Sequence, residues 1–163
     1  MIYNLRLVRC MSILACNRRH SQPCLLGSHL RLPVFTAEEI QAITGPSDFY
    51  RMNTYTMNLC RAGGTDELQG LVNYMFNRPD GTQLGTQANC SWLQDYPEGF
   101  RQLLNYIWNR YKHPIYVTEN GFCVKNESSK PMEDVLRDID HVNYFRGITA
   151  ALKTAVLDDC VDV

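Results

Sequence analysis

Phe100, Leu103, Leu104, Ile107 and Tyr111 recur three and four residues apart, the spacing that lines apolar side chains along one helix face. Pro97 and Glu98 open that segment; proline suits the first helical turn, and an acid there complements the helix dipole. A second stripe runs through Val135, Leu136, Ile139, Val142, Phe145, Ile148, Leu152 and Val156, with a break expected around 138–140. Between the two stripes, residues 114–118 form a short run rich in apolar and β-branched residues that reads as a strand. Pro114 can begin such a strand without an N–H, and Gly121 is expected to let the chain turn sharply away. Upstream, Thr36 followed by Glu39 is the signature of a capping box, which predicts a helix to about Ile43. Gly45, Pro46 and Ser47 end it, and the aromatic and β-branched residues of 48–56 predict another strand. Residues 160–163 read as extended.

From 57 to 95, Gly, Asn, Asp and Thr dominate, and Arg78-Pro79-Asp80-Gly81 signals a turn. So long a stretch is expected to be a functional or disordered loop. The order helix, strand, loop, helix, strand, loop, helix is βα repetition, which implies a parallel sheet covered by helices. A complete eight-stranded barrel takes about 250 residues. The expectation is therefore an α/β fold that is either part of a barrel or a smaller sheet.

With 163 residues, 45% of them hydrophobic and 20% charged, the chain can bury a core as one domain. A net charge of −1 gives no sign of a nucleic-acid or anionic-membrane partner. No apolar run approaches the roughly 18 residues of a membrane span. The seven cysteines are odd in number and include no Cys-x-x-Cys pair, which argues against a zinc site and against a closed disulfide framework. Reduced cysteines, a cytoplasmic location and no metal or cofactor are expected. Two Asn-x-Ser triplets, at Asn89 and Asn126, are read as chance occurrences. Residues 1–36 hold five arginines and no acid, so 1–30 read as an atypical basic leader and 31–163 as the folded unit.

The chemistry converges on Glu119. A carboxylate at the C-terminal end of a strand in a βα fold stands where such folds build active sites. The run Tyr116-Val117-Thr118-Glu119-Asn120-Gly121 resembles the nucleophile motif of family 1 glycoside hydrolases, the β-glucosidase family. Further matches follow in the family's order: Arg31-Leu32-Pro33 with Phe35-Thr36, Asp48-Phe49-Tyr50 with Met52 to Thr56, Trp92 with Tyr96-Pro97-Glu98-Gly99-Phe100, and Asp140 with Tyr144. The loop 81–86 is most similar to fungal members. The resemblance implies a partial (β/α)8 TIM barrel, about strands six and seven with their helices, in a chain from a fungal-type β-glucosidase. It also implies a β-glucoside or oligosaccharide substrate and a retaining mechanism, in which one carboxylate forms a glycosyl-enzyme and a second serves as acid and base.

On that resemblance Glu119 is the nucleophile and Tyr55 the hydroxyl that hydrogen-bonds it. Asn53 lies two residues before Tyr55, on the same strand face by alternation. Asn120 is expected to brace the turn more than to touch sugar. Trp92, just ahead of an amphipathic helix, is read as a packing residue, and His141 as a surface or helix-contact residue. His113 is read as the cation that closes the helix before the strand. Arg51 stands where the family has glycine, a place too tight for it unless the side chain escapes to an edge. The family's acid/base glutamate belongs to an Asn-Glu-Pro motif that this sequence lacks. The leading expectation is a fragment of a retaining β-glucosidase that carries the nucleophile alone. An inactive truncated product and a non-catalytic sugar-binding fragment are the alternatives.

Overall fold

Thr36 begins the first helix as its sequence requires. Its hydroxyl accepts from the Glu39 N–H at 3.2 Å, and the Glu39 carboxylate accepts from the Thr36 N–H at 2.8 Å. The resulting helix α1 spans Ala37–Ile43 and ends before Gly45, whose φ of +83° suits glycine. The computed structural model describes residues 35–45, 47–66 and 71–163. The basic leader and the Arg31-Leu32-Pro33 match lie outside the described residues.

The strand expected over 48–56 is β1, Tyr50–Asn53. It pairs in parallel with β6, Ile115–Glu119, with Tyr50 opposite Ile115 and Met52 opposite Val117. Between them the chain crosses over through α2, Pro97–Tyr111. Lys112 ends that helix in the left-handed conformation, its N–H on the Trp108 carbonyl at 3.0 Å. His113, expected to close the helix, lies beyond the cap. The helical region after β6 breaks at Asp138, φ +38°, into α3, Met132–Arg137, and α4, Ile139–Leu157. At the end of the chain, Val161 is buried and the Asp162 carbonyl accepts from the Ile115 N–H at 2.9 Å. This backbone contact on β6 accounts for the extended reading of 160–163.

The core lies between the β1–β6 pair and the two long helices. Phe100, Leu104 and Ile107 of α2 meet Tyr144, Ile148, Ala151 and Ala155 of α4 over Ile115. The α2 stripe is as expected, but the second stripe, which runs across α3 and α4, is corrected. Of its eight expected members only Ile148 is buried; Leu136, Ile139, Val142, Phe145 and Val156 are exposed. Small residues decide this. A Cβ on Gly147 would stand 2.7 Å from Pro97 Cγ, so glycine and the two alanines let α4 approach α2 closely. Arg101 then ties α2 to the tail of α4, with Nε and Nη2 each 2.7 Å from the Asp159 carboxylate. Its guanidinium, with Asn105, holds the Asp159 carboxyl down at about 2.

The long polar stretch is not a structureless loop. It holds two short antiparallel hairpins: β2, Leu59–Ala62, with β3, Val72–Met75, and β4, Thr86–Gln87, with β5, Gln94–Asp95. The Arg78–Gly81 turn signal is realised, with Gly81 N–H on the Arg78 carbonyl at 2.9 Å. Polar burial holds the second hairpin. Gln94 is only 1% exposed, yet its backbone N–H reaches Thr56 Oγ1 at 2.9 Å, its Nε2 reaches Gln87 Oε1 at 3.0 Å, and its Oε1 accepts from Gly85 at 3.2 Å.

Next to Gln94, burial raises the Asp95 carboxyl to about 6, and its Oδ1 is buried without a hydrogen-bond partner. A raised carboxyl means that the folded chain binds the proton more tightly than the unfolded one. That stability is present below the ordinary carboxylate range and is lost as pH rises through about 6. Asp95→Asn should therefore melt with the parent at pH 4.5 and above it at pH 7.5. With solvent screening the gain is on the order of 1 kcal/mol, or roughly 4 °C. Parallel melting curves for the two chains across this range would disprove the assignment.

Candidate active site

The end of β6 is shaped by an irregularity. After Met52 pairs with Val117, Asn53 pairs with Glu119, so Thr118 is an extra residue on the β6 side. Bulges of this kind re-aim the side chain that follows. The Thr118 hydroxyl fills the gap, donating to Asn53 Oδ1 at 2.7 Å and lying 3.2 Å from the Met52 carbonyl. Backbone pairing resumes with Thr54 N–H on the Glu119 carbonyl at 3.0 Å.

Glu119 is exposed at this strand end, and Tyr55 donates its hydroxyl to Glu119 Oε2 at 2.7 Å. The hydrogen bond to Glu119, some burial and the carboxylate's charge together raise the Tyr55 phenol above its ordinary value. Tyr55 therefore stays a donor to the Glu119 carboxylate throughout the neutral range. Asn120 turns away from this pair, its Nδ2 on the Thr54 carbonyl at 2.7 Å. Asn53 lies beside the bulge and contacts Thr118. The four candidate residues thus sit on two adjacent strand ends, with Tyr55 bonded to Glu119, Asn53 to the bulge and Asn120 to the β1 backbone.

Four neighbours differ from expectation or add to it. Trp92 is 51% exposed and meets the Tyr55 ring edge-on at 6.2 Å, so it packs beside Tyr55 at the surface rather than filling the core. Gly121 has no left-handed φ; a Cβ there would lie 3.5 Å from Tyr55 Cε1, an ordinary contact. Arg51 escapes strain as the edge condition required: its side chain is exposed and Nε donates to Thr118 Oγ1 at 3.2 Å. His141 touches the site's supporting chain, with Nδ1 2.6 Å from Asp138 and Nε2 2.9 Å from the Phe122 carbonyl. Partial burial disfavours its charge, but both ring nitrogens face acceptors, and Asp138, Phe122 and Glu127 raise it overall.

The cysteine expectation also fails in part. Cys90 and Cys123, 33 residues apart, form a disulfide with their Cα atoms 6.0 Å apart, while Cys60 and Cys160 are free thiols. An odd count leaves at least one thiol over but does not forbid a bridge, and proximity in the fold made this one.

A cavity of about 290 Å³ lies between the 124–130 segment and the α3–α4 break, with Lys130, Arg137 and Asp140 in its wall. Glu119 is not part of it. The candidate residues lie instead on the open face at the strand ends. Among the described residues no group of three or more His, Cys, Asp or Glu side chains is placed to hold a metal ion. No described helix is long and apolar enough to cross a membrane.

Comparison with known proteins places this geometry in context. The model of Glycosyl hydrolase family 1 matches residues 16–163. Beta-glucosidase 1B of Phanerodontia chrysosporium is 65% identical over 133 residues, which cover 82% of this chain and 25% of that protein. Among solved structures, beta-glucosidase 2 of Trichoderma reesei in complex with Tris superposes with a TM-score of 0.75 at 40% identity. A family 1 beta-glucosidase of Humicola insolens in complex with glucose gives 0.75 at 38%. Each superposition covers 82% of this chain and about three tenths of the other, 30% and 29% respectively. The chain thus spans about a quarter of the length of the curated relatives it matches, and its βαβα unit is part of a TIM barrel.

Proposed function

The chain belongs to glycosyl hydrolase family 1, and from that premise we propose that it is the nucleophile-bearing portion of a retaining β-glucosidase. The observation that carries the reading is the Tyr55–Glu119 hydrogen bond at the end of β6. In this reading Glu119 attacks the anomeric carbon of a β-glucoside, and the aglycone departs as a second carboxylate protonates its oxygen. That carboxylate, about 5 Å away, then takes a proton from water, and the water releases glucose with retained configuration. Tyr55 holds the Glu119 carboxylate aimed, Asn53 is held at the same strand end by Thr118, and Asn120 braces the backbone behind. The acid/base glutamate belongs to another part of the barrel. Support comes from the family match, the glucose complex of the Humicola insolens relative and the order of the motifs.

Since general acid–base help is worth about 10²–10⁴ in rate, the chain alone should not hydrolyse an aryl β-glucoside. Turnover by the isolated chain that vanished in Glu119→Gln would refute that. A chimera in which residues 35–163 replace the matching quarter of beta-glucosidase 1B should hydrolyse the same substrate and release the β-anomer first, as read by proton NMR. First release of the α-anomer would overturn the retaining assignment. In that chimera Tyr55→Phe should lower kcat/KM by about 10–10²-fold, the worth of one hydrogen bond to a charged group. Unchanged kinetics would remove Tyr55 from the site.

A further inference from the structure

We propose that the Cys90–Cys123 disulfide is a positioning element for the Glu119 site, and that reducing it frees the Trp92 turn from the nucleophile strand. The inference rests on the reading of Glu119 as the nucleophile.

The connections around Glu119 form a closed ring. Glu119 accepts from Tyr55 at 2.7 Å, and the Tyr55 ring meets the edge of Trp92 at 6.2 Å. Trp92 lies two residues after Cys90, in a turn closed by Leu93 N–H on the Cys90 carbonyl at 3.2 Å. Cys90 is bonded to Cys123, and Cys123 lies four residues after Glu119 on the same strand exit. The disulfide is the covalent closure of this ring. Beside it, the Asn89 N–H on the Cys123 carbonyl at 2.9 Å is a hydrogen bond between the same two segments.

The two sides of the bridge are held differently. The strand exit is held independently by Asn120 on Thr54 and by the Phe122 carbonyl against His141 at 2.9 Å. The turn is held from within by Gln87 Nε2, 2.9 Å from both the Cys90 and Leu93 carbonyls. Loss of the bridge should therefore leave each segment folded while relaxing the distance between them, with the half-exposed Trp92 moving most. Both cysteines are only partly buried, so a small dithiol can reach the bond. The exchange balances: the dithiol gives two electrons and two protons, becomes a cyclic disulfide, and leaves Cys90 and Cys123 as thiols.

The chain has two tryptophans, so Trp108→Phe makes Trp92 the sole indole. If that variant folds poorly, the spectrum of Trp92→Phe subtracted from the parent's gives the same signal. On treatment with dithiothreitol, far-UV circular dichroism should hold while Trp92 emission shifts to the red and its acrylamide quenching constant at least doubles. The Cys90→Ser, Cys123→Ser double variant should show the reduced signature and stop responding to dithiol. Identical quenching in the two redox states would overturn the proposal. So would loss of the circular dichroism signal on reduction, which would make the bridge a general staple. In the chimera, reduction should raise KM for an aryl β-glucoside about tenfold and change kcat by less. The fluorescence readout does not depend on catalysis. Failure of the nucleophile reading would appear separately, as a chimera that is inactive in both redox states.

Discussion

Glu119→Ala in the chimera is expected to lower kcat by about 10⁴-fold or more, with the protein still folded. Losses of this size follow removal of a group that forms the covalent intermediate, since the remaining residues act as a unit with it. The size follows from the site's layout. The hydroxyl of Tyr55 is aimed at the Glu119 carboxylate, and the bulge at Thr118 brings Asn53 opposite Glu119 in register. Shortening Glu119 also leaves a gap on the face from which, on the proposed mechanism, it attacks. Azide should enter there and restore turnover, giving the α-glucosyl azide, because the anion approaches from the vacated side. A Glu119→Ala chimera that kept a tenth of the parent's kcat would show that another group is the nucleophile.

Phe100→Ala should cost about 3–5 kcal/mol of stability, the range for deleting a buried aromatic ring. Phe100 is 1% exposed and belongs to the cluster joining α2, α4 and Ile115. It also lines a small void with Tyr55, Met57, Asn120 and Ile148, so the ring supports the floor beneath the Glu119 pair. A domain of this size commonly holds only about 5–15 kcal/mol in all. With a denaturant slope of about 2 kcal/mol per molar, the urea midpoint should fall by roughly 2 M or the cooperative transition should disappear. A fall of less than about 0.5 M would mean that the α2–α4 cluster is not the core.

What the sequence made legible were features carried by local chemistry. The Thr36–Glu39 capping box, the α2 stripe ending near Tyr111 and the β-branched run ending at Glu119 depend on residues within a turn or two of each other. The hairpins of 57–95 were hidden because a buried polar network centred on Gln94 holds one of them, where the pattern rule looks for apolar alternation. The buried face of α4 escapes the apolar-pattern rule for a related reason. Close packing through Gly147, Ala151 and Ala155 buries small residues and leaves Ile139, Val142 and Phe145 outside. The Cys90–Cys123 bridge, the extra residue at Thr118 and the place of Trp92 beside Tyr55 are products of tertiary proximity. Residue spacing along the chain carries no trace of them. The candidate carboxylate was legible; the ring of contacts around it was not.

The most direct test is covalent. The chimera should be incubated with an activated 2-deoxy-2-fluoro-β-glucoside, whose glycosyl-enzyme forms readily and hydrolyses slowly, and then digested for peptide mass spectrometry. The fluoroglucosyl group is predicted on the peptide containing Glu119, at that side chain, and on no peptide from the Glu119→Gln protein. A label on any other carboxylate, or none in a chimera that turns over substrate, would contradict Glu119 as the nucleophile.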